Sequence, residues 1–248
     1  MDNVIIITGA GRGIGAATAL AAARAGYRIC INYLADDDAA HRVLEQVREL
    51  GAEAITVRAD VSVEDEVIQL FHRVDNELGR VTALVNNAGT LGHKSRLDEM
   101  SEFRLLKLMK TNVVGPMLCA KHALQRMSTR HGGPGGAIVN VSSLAARLGS
   151  PNEYVDYAAS KGALDTFTLG LAKEVAGEGV RVNGVRPGYI HTGFHALSGD
   201  PDRVAKLEPG LPMGRGGRPE EVAEAILWLL SDKASYSTGS FVDLGGGR

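Results

Sequence analysis

The sequence predicts one α/β domain built on a doubly wound parallel sheet of about seven strands, with helices on both faces. Short runs rich in valine and isoleucine alternate with longer helical stretches along all 248 residues. These runs are continuously apolar, which is typical of parallel strands that are covered on both faces. Because α/β domains often reach this length, we predict a single domain over residues 1–248.

Seven apolar runs supply the predicted strands. In chain order, they are Val4–Thr8, Arg28–Tyr33, Ala54–Ala59, Ala83–Asn86, Ala137–Val141, Arg181–Val185 and Phe241–Leu244. Helical periodicity or alanine-rich composition predicts helices between them. In chain order, these helices are Gly13–Ala25, Asp37–Leu50, Val63–Leu78, Ser101–His131, Tyr154–Glu178 and Pro219–Leu230. The connection Arg186–Arg218, rich in proline and glycine, is predicted to form a substrate-covering lid with short helices of its own.

Composition excludes several classes of partner. The net charge is −2 and no run of lysine or arginine occurs, so we expect neither nucleic acid nor an anionic membrane as a partner. No apolar run approaches the roughly 18 residues that span a bilayer. Two cysteines in apolar runs, Cys30 and Cys119, indicate a reducing compartment, and no secretory signal pattern is present, which predicts a cytoplasmic protein. No spacing of histidines or cysteines predicts a metal site.

A glycine-rich turn joins the first strand to the first helix. It reads Thr8-Gly9-Ala10-Gly11-Arg12-Gly13-Ile14-Gly15. Glycines let the backbone approach a pyrophosphate closely, and the following helix N-terminus offers unpaired N–H groups and a partial positive charge. The turn therefore predicts a dinucleotide site of the Rossmann type.

Small or polar residues follow several other strands. Ligands of open α/β sheets bind beyond the carboxyl ends of the strands, so these residues are candidates for the same site. They are Asp60, the element Asn86-Asn87-Ala88-Gly89, Ser142, and the pair Pro187-Gly188.

Tyr157 and Lys161 supply matching acid–base chemistry. Four residues apart in a predicted helix, they share one face. Hydride transfer to a carbonyl needs a proton for the oxygen, and a nearby ammonium would lower the pKa of the tyrosine toward neutrality. Ser142, at the end of the fifth strand, can hydrogen-bond the substrate oxygen, and Ser143 is the competing serine.

These motifs resemble the classical short-chain dehydrogenase/reductase family. The pattern T-G-x-x-x-G-x-G from Thr8 to Gly15, the Asn-Asn-Ala-Gly element, Ser142 and Tyr-x-x-x-Lys occur in the family's order over essentially the whole chain. The resemblance implies an NAD(P)-dependent oxidoreductase acting on a carbonyl or secondary alcohol, and a homotetramer. Sugar dehydrogenases and 3-oxoacyl reductases are the most similar branches, and the sequence leaves both substrate classes open.

The resemblance also implies individual roles. Asn112, Ser142, Tyr157 and Lys161 would be catalytic, with Ser142 preferred to Ser143, Lys161 gripping the nicotinamide ribose, and Asn112 holding a water that links Lys161 to solvent. Asp60 would hold the adenine amino group, with Val61 beside it. The expected cofactor-binding residues are Thr8, Gly9, Gly11, Arg12, Gly13, Ile14, Gly15, Asp60, Val61, Asn86, Ala88, Gly89, Tyr157, Lys161, Pro187, Gly188, Ile190 and Thr192.

The end of the second strand bears on the choice of nucleotide. An NAD enzyme places a carboxylate there for the ribose 2′-hydroxyl, whereas this chain has Asn32-Tyr33-Leu34. Arg12 could meet a 2′-phosphate with its fork of donors, although the run Asp36–Asp38 would repel a phosphate that lay close. We predict NADP, with NAD as the alternative.

The expected pocket mixes polar and apolar side chains. Polar groups would suit a sugar, and apolar ones an acyl chain or a ring ketone. The expected lining comes from His93–Arg96, Leu144–Glu153 and Phe194–Leu197, with Met213. A nucleotide-binding redox sensor is the non-enzyme alternative, but it would not need Asn112, Ser142, Tyr157 and Lys161 together.

Overall fold

The protein folds around one seven-stranded parallel sheet with the strand order β3-β2-β1-β4-β5-β6-β7. The computed structural model describes residues 3–248, apart from the side chains of His195 and Leu197. The strands are β1 Val4–Ile7, β2 Arg28–Tyr33, β3 Ala54–Arg58, β4 Val81–Asn86, β5 Gly136–Val141, β6 Val180–Pro187 and β7 Phe241–Leu244. The order reverses between β1 and β4, as in a doubly wound sheet. The predicted fold class is confirmed.

Helices cover both faces of this sheet. They are α1 Gly13–Arg24, α2 Asp37–Glu49, α3 Glu64–Glu77, α4 Glu102–Met109, α5 Gly115–Met127, α6 Ala145–Leu148, α7 Val155–Val175, α8 Arg203–Leu207 and α9 Pro219–Leu230. Alternate residues of β1 enter two separate cores, because successive side chains of a strand point to opposite faces. Ile5 and Ile7 pack with α1, α2 and α9, whereas Val4 and Ile6 pack with α3, α5 and α7.

The long helix predicted over Ser101–His131 is interrupted. A π-helical turn, Lys110–Val114, separates α4 from α5, and α5 ends at Met127. The turn carries Asn112 into the interior, where its side chain bonds Thr90 and Ser160. Periodicity alone did not reveal the turn, because it depends on contacts made far along the chain.

The connection Arg186–Arg218 contains α8 and two 3-10 turns, His195–Ser198 and Glu208–Gly210, as its length predicted. β6 extends two residues further than expected, to Pro187. Among the residues that the structure describes, no helix is long and apolar enough to cross a membrane.

Candidate active site

A crevice of about 1060 Å³ opens at the carboxyl ends of the central strands. It is large for a single small-molecule pocket, which suits a dinucleotide together with a substrate. Most of the predicted site residues line it. They are Gly9, Gly11, Arg12, Gly13, Ile14, Asp60, Val61, Ala88, Gly89, Ser142, Tyr157, Lys161, Pro187, Gly188, Ile190 and Thr192.

Thr8, Gly15, Asn86 and Asn112 lie behind the crevice wall. The Thr8 hydroxyl accepts hydrogen bonds from the backbone N–H groups of Asn87 (3.0 Å) and Ala88 (2.9 Å), which joins the glycine turn to the end of β4. The Asn86 amide donates to the side-chain oxygen of Asn140 at 2.9 Å. These buried groups hold the strand ends in place.

Two asparagines outside the expected cofactor-binding set also fix the glycine turn, one of them (Asn87) from the candidate element after β4. Asn87 donates to the carbonyls of Thr8 (2.8 Å) and Gly9 (3.0 Å), and the Asn32 side-chain oxygen accepts from the Gly9 N–H (3.3 Å). The Asn32 amide also donates to the carbonyls of Val57 and Ala59. The position of Asn87 directly after β4 was the available signal for its part in the site.

The glycine turn fits a diphosphate. Gly9 and Gly13 have φ angles of +63° and +57°, which disfavour any side chain. A Cβ at Gly15 would lie 2.6 Å from the Gly9 carbonyl oxygen, so no larger residue fits there. Arg12 is the N-cap residue of α1, its side chain makes no capping bond, and the first turn holds no acidic residue. The helix N-terminus is therefore open to an anion.

Arg12 lies at the nucleotide end of the crevice. The Arg12 side chain is exposed and makes no hydrogen bond or ion pair with any residue in the described range 3–248. The neighbouring acids are engaged locally: Asp36 caps α2 by accepting from the Ala39 N–H at 3.0 Å, and Asp37 accepts from the Tyr33 hydroxyl.

Tyr157 and Lys161 occupy one face of α7 at the other end. The Lys161 ammonium lies 5.6 Å from the centre of the Tyr157 ring and donates to the Val141 carbonyl at 2.8 Å. Burial raises the pKa of Tyr157 to about 12, opposite to the expected lowering, although a hydrogen bond with Ser143 opposes the rise. Burial also lowers the pKa of Lys161 to about 8, and the charge of Asp165 opposes that change. Desolvation is the largest cause of the pKa shift in both groups.

The two adjacent serines have different partners. The Ser142 hydroxyl donates to the Lys161 carbonyl at 3.3 Å, and the residue is only 3% exposed. Ser143 lines the crevice with Tyr157, and its interaction with that side chain opposes the rise of the Tyr157 pKa. Adjacent residues at the end of a strand project in different directions, so only one of the pair can face the tyrosine hydroxyl.

Asn112 is fully buried beside the lysine. Its side chain accepts from the Thr90 N–H at 2.8 Å and donates to the Thr90 carbonyl and to Ser160. A Cβ added to Gly89 would lie 3.5 Å from the Asn112 oxygen and 3.7 Å from the Lys161 ammonium. The expected role of Asn112 in holding a water stays a prediction.

Several polar side chains around the expected substrate end already bond other residues of the protein. Glu153 forms ion pairs with Arg203 and, at 2.8 Å, with Lys94. The Tyr154 hydroxyl donates to the Ser198 hydroxyl at 3.3 Å. Apolar side chains also line the crevice, among them Leu91, Phe103, Leu106, Leu148 and Phe194.

Some expected pocket residues lie elsewhere. His93 contacts the Ser198 carbonyl and does not line the crevice, and Met213 lines a separate small cavity beside β7. The side chains of His195 and Leu197 lie outside the described part of the structure.

Known proteins resemble this chain over nearly its whole length. A family profile described as enoyl-(acyl carrier protein) reductase matches residues 9–248. The uncharacterized oxidoreductase YgfF of Escherichia coli K12 is 51% identical over 245 residues, covering 99% of both chains. The cis-4-hydroxycyclohexanecarboxylate dehydrogenase of Sinomonas cyclohexanicum is 39% identical and covers 99% of this chain and 96% of its own. The crystal structure of a short-chain type dehydrogenase/reductase from Mycobacterium marinum superimposes with a TM-score of 0.92 at 34% identity, covering 99% of this chain and 94% of that one.

Proposed function

Because this chain belongs to the short-chain dehydrogenase/reductase family, we propose that it transfers a hydride between NADP(H) and a ketone or secondary alcohol. The observation that carries the proposal is one crevice that joins the glycine turn to Ser143, Tyr157 and Lys161. A nucleotide-binding redox sensor would need the glycine turn alone. A redox sensor would not need a buried lysine beside a tyrosine and a serine.

Ser143, Tyr157 and Lys161 each have a separate role in transferring the proton. A bound nicotinamide would supply or accept the hydride. In the reductive direction, the Tyr157 hydroxyl, kept protonated by its raised pKa, donates the proton to the substrate oxygen. The Ser143 hydroxyl donates a hydrogen bond to the same oxygen as negative charge develops. The Lys161 ammonium stabilises the tyrosinate that remains and would bind the nicotinamide ribose.

Arg12 supports NADP as the preferred nucleotide. Replacing Arg12 by alanine is expected to raise the KM for NADPH about tenfold or more, because one charge-assisted contact with the 2′-phosphate is lost. The KM for NADH should change less than twofold. Steady-state kinetics with both nucleotides measures this, and Arg24→Ala, an exposed arginine at the end of α1, is the matched control. Equal changes for the two nucleotides would refute the assignment.

The engaged polar groups of the pocket favour a mainly apolar substrate. A sugar needs hydrogen-bond partners for several hydroxyl groups, and burying those groups unpaired is costly. Glu153, Arg203 and Tyr154 already bond other residues of the protein. We therefore propose a ring ketone or an acyl ketone rather than an aldose. The relative that acts on cis-4-hydroxycyclohexanecarboxylate supports the ring alcohol.

A substrate panel tests this function directly. Oxidation of cis-4-hydroxycyclohexanecarboxylate and cyclohexanol, reduction of a 3-oxoacyl thioester, and oxidation of glucose would each be followed by nicotinamide absorbance with both nucleotides. We expect kcat/KM for the best ring or acyl substrate to exceed that for glucose at least about a hundredfold, since two or more unpaired hydroxyls each cost about 1–3 kcal/mol. Preference for glucose would overturn the substrate class. Absence of turnover across ketones and alcohols of every class would overturn the function.

We also propose a homotetramer in the cytoplasm. Apolar side chains on α4 and α5, including Met109 and Met117, are 39% exposed, which supports a subunit interface involving these helices. Cys30 and Cys119 are buried free thiols, in accord with a reducing compartment.

A further inference from the structure

A row of alternating charges lies behind Lys161. Asp165 is one helical turn further along α7, and its carboxylate accepts from the Arg186 guanidinium at 2.8 Å. Arg186 also contacts Asp243 at 3.2 Å, and Asp243 pairs with Arg147 at 2.7 Å. The row runs from the base of the crevice toward the surface, where the Arg147 side chain is 63% exposed.

The ion pair between Asp165 and Arg186, at the inner end of this row, is mostly buried. The side chains of Asp165 and Arg186 are 13% and 16% exposed, and the guanidinium stacks 3.7 Å above the Phe241 ring. One carboxylate oxygen of Asp165, Oδ1, is buried and has no hydrogen-bond partner among the described residues. A half-satisfied buried carboxylate destabilises a fold, so its presence needs another explanation.

The neighbours of Lys161 supply that explanation. On α7, its titratable neighbours are Tyr157 and Asp165, and β6 contributes Arg186 behind Asp165. The other elements packed on the lysine present uncharged groups within the described residues: the Val141 carbonyl of β5, the backbone of Gly89 and the amide of Asn112. Asp165 is therefore the anion that can offset burial of the Lys161 charge.

We propose that Asp165 is a positioning residue that keeps Lys161 charged. The importance of Asp165 for catalysis rests on the function proposed above, whereas its charge interaction with Lys161 can be measured without turnover. Arg186 partly neutralises Asp165 and so moderates the effect. Removal of Asp165 and removal of Arg186 should then shift the Lys161 pKa in opposite directions.

Titration of Lys161 by NMR tests this in the protein without cofactor. Lysine labelled with carbon-13 at Cε gives one signal per lysine, and Lys161→Met identifies the relevant one. The wild-type midpoint should lie near pH 8, where burial places the pKa. Asp165→Asn should lower it by about one pH unit, and Arg186→Gln should raise it by about half a unit. Asp243→Asn, which removes the other partner of Arg186, should change the Lys161 midpoint by less than about 0.2 units from the wild-type value.

The outcomes separate this inference from simple packing. A midpoint unmoved by Asp165→Asn overturns it. Shifts in the same direction for Asp165→Asn and Arg186→Gln also overturn it, because loosened packing would admit water to the lysine in both variants. If the midpoints move as expected but Lys161→Met retains turnover, the charge pair stands and the proposed function of the lysine fails. If Lys161→Met is inactive and the Lys161 midpoint does not move in Asp165→Asn, the proposed function of the lysine stands and the charge pair fails.

Discussion

Tyr157→Phe is expected to lower kcat about a thousandfold, because the substrate oxygen loses its proton donor. The ring remains, so the contact with Phe194 (centroids 6.0 Å apart) and the shape of the crevice should persist. Cofactor affinity, measured by NADPH fluorescence titration, should change less than about threefold, since the lost hydroxyl is proposed to act on the substrate.

Tyr27→Phe is the matched control for this variant. Tyr27 undergoes the same chemical change at a partly buried position that packs against the core beside α1, away from the crevice. Its kcat should equal that of the wild type. Residual turnover above about a tenth of the wild-type value in Tyr157→Phe would remove the tyrosine from the proposed mechanism.

Replacing each serine in turn by alanine should discriminate sharply between the two. Ser143→Ala is expected to reduce kcat about a hundredfold or more, because the developing oxyanion loses a donor and the Tyr157 hydroxyl loses a partner. Ser142→Ala removes a hydroxyl that donates to the Lys161 carbonyl, so its main cost should be about 1 kcal/mol of stability.

Steady-state kinetics and thermal unfolding measured on both variants provide the comparison. A larger loss of kcat in Ser142→Ala than in Ser143→Ala would reverse the assignment made from the geometry. It would restore the choice that family resemblance alone favoured.

Local patterns were sufficient for the fold and for most of the crevice lining. Continuous apolar runs reflect strands buried on both faces, and the predicted bounds of β2, β7 and α9 match the structure. The glycine turn and the spacing of Tyr157 and Lys161 are short-range features. Strand and helix geometry converts such spacings directly into position, so these residues could be placed without knowledge of distant contacts.

Contacts between distant segments decided the remainder. Ser143 faces Tyr157 because of how β5 ends against α7, and the π-helical turn forms where Asn112 meets Thr90 and Ser160. Asp165 meets Arg186 across 21 residues of sequence, and Glu153 meets Arg203 across 50.

Sequence alone therefore determined the sheet, the nucleotide turn and the tyrosine–lysine pair, each of which follows from periodicities of a few residues. Only the tertiary structure decided which serine adjoins the tyrosine, which polar groups remain free for substrate, and which anion lies behind the lysine. The reason is physical: burial and charge pairing depend on distances in space between segments that the order of residues along the chain does not specify.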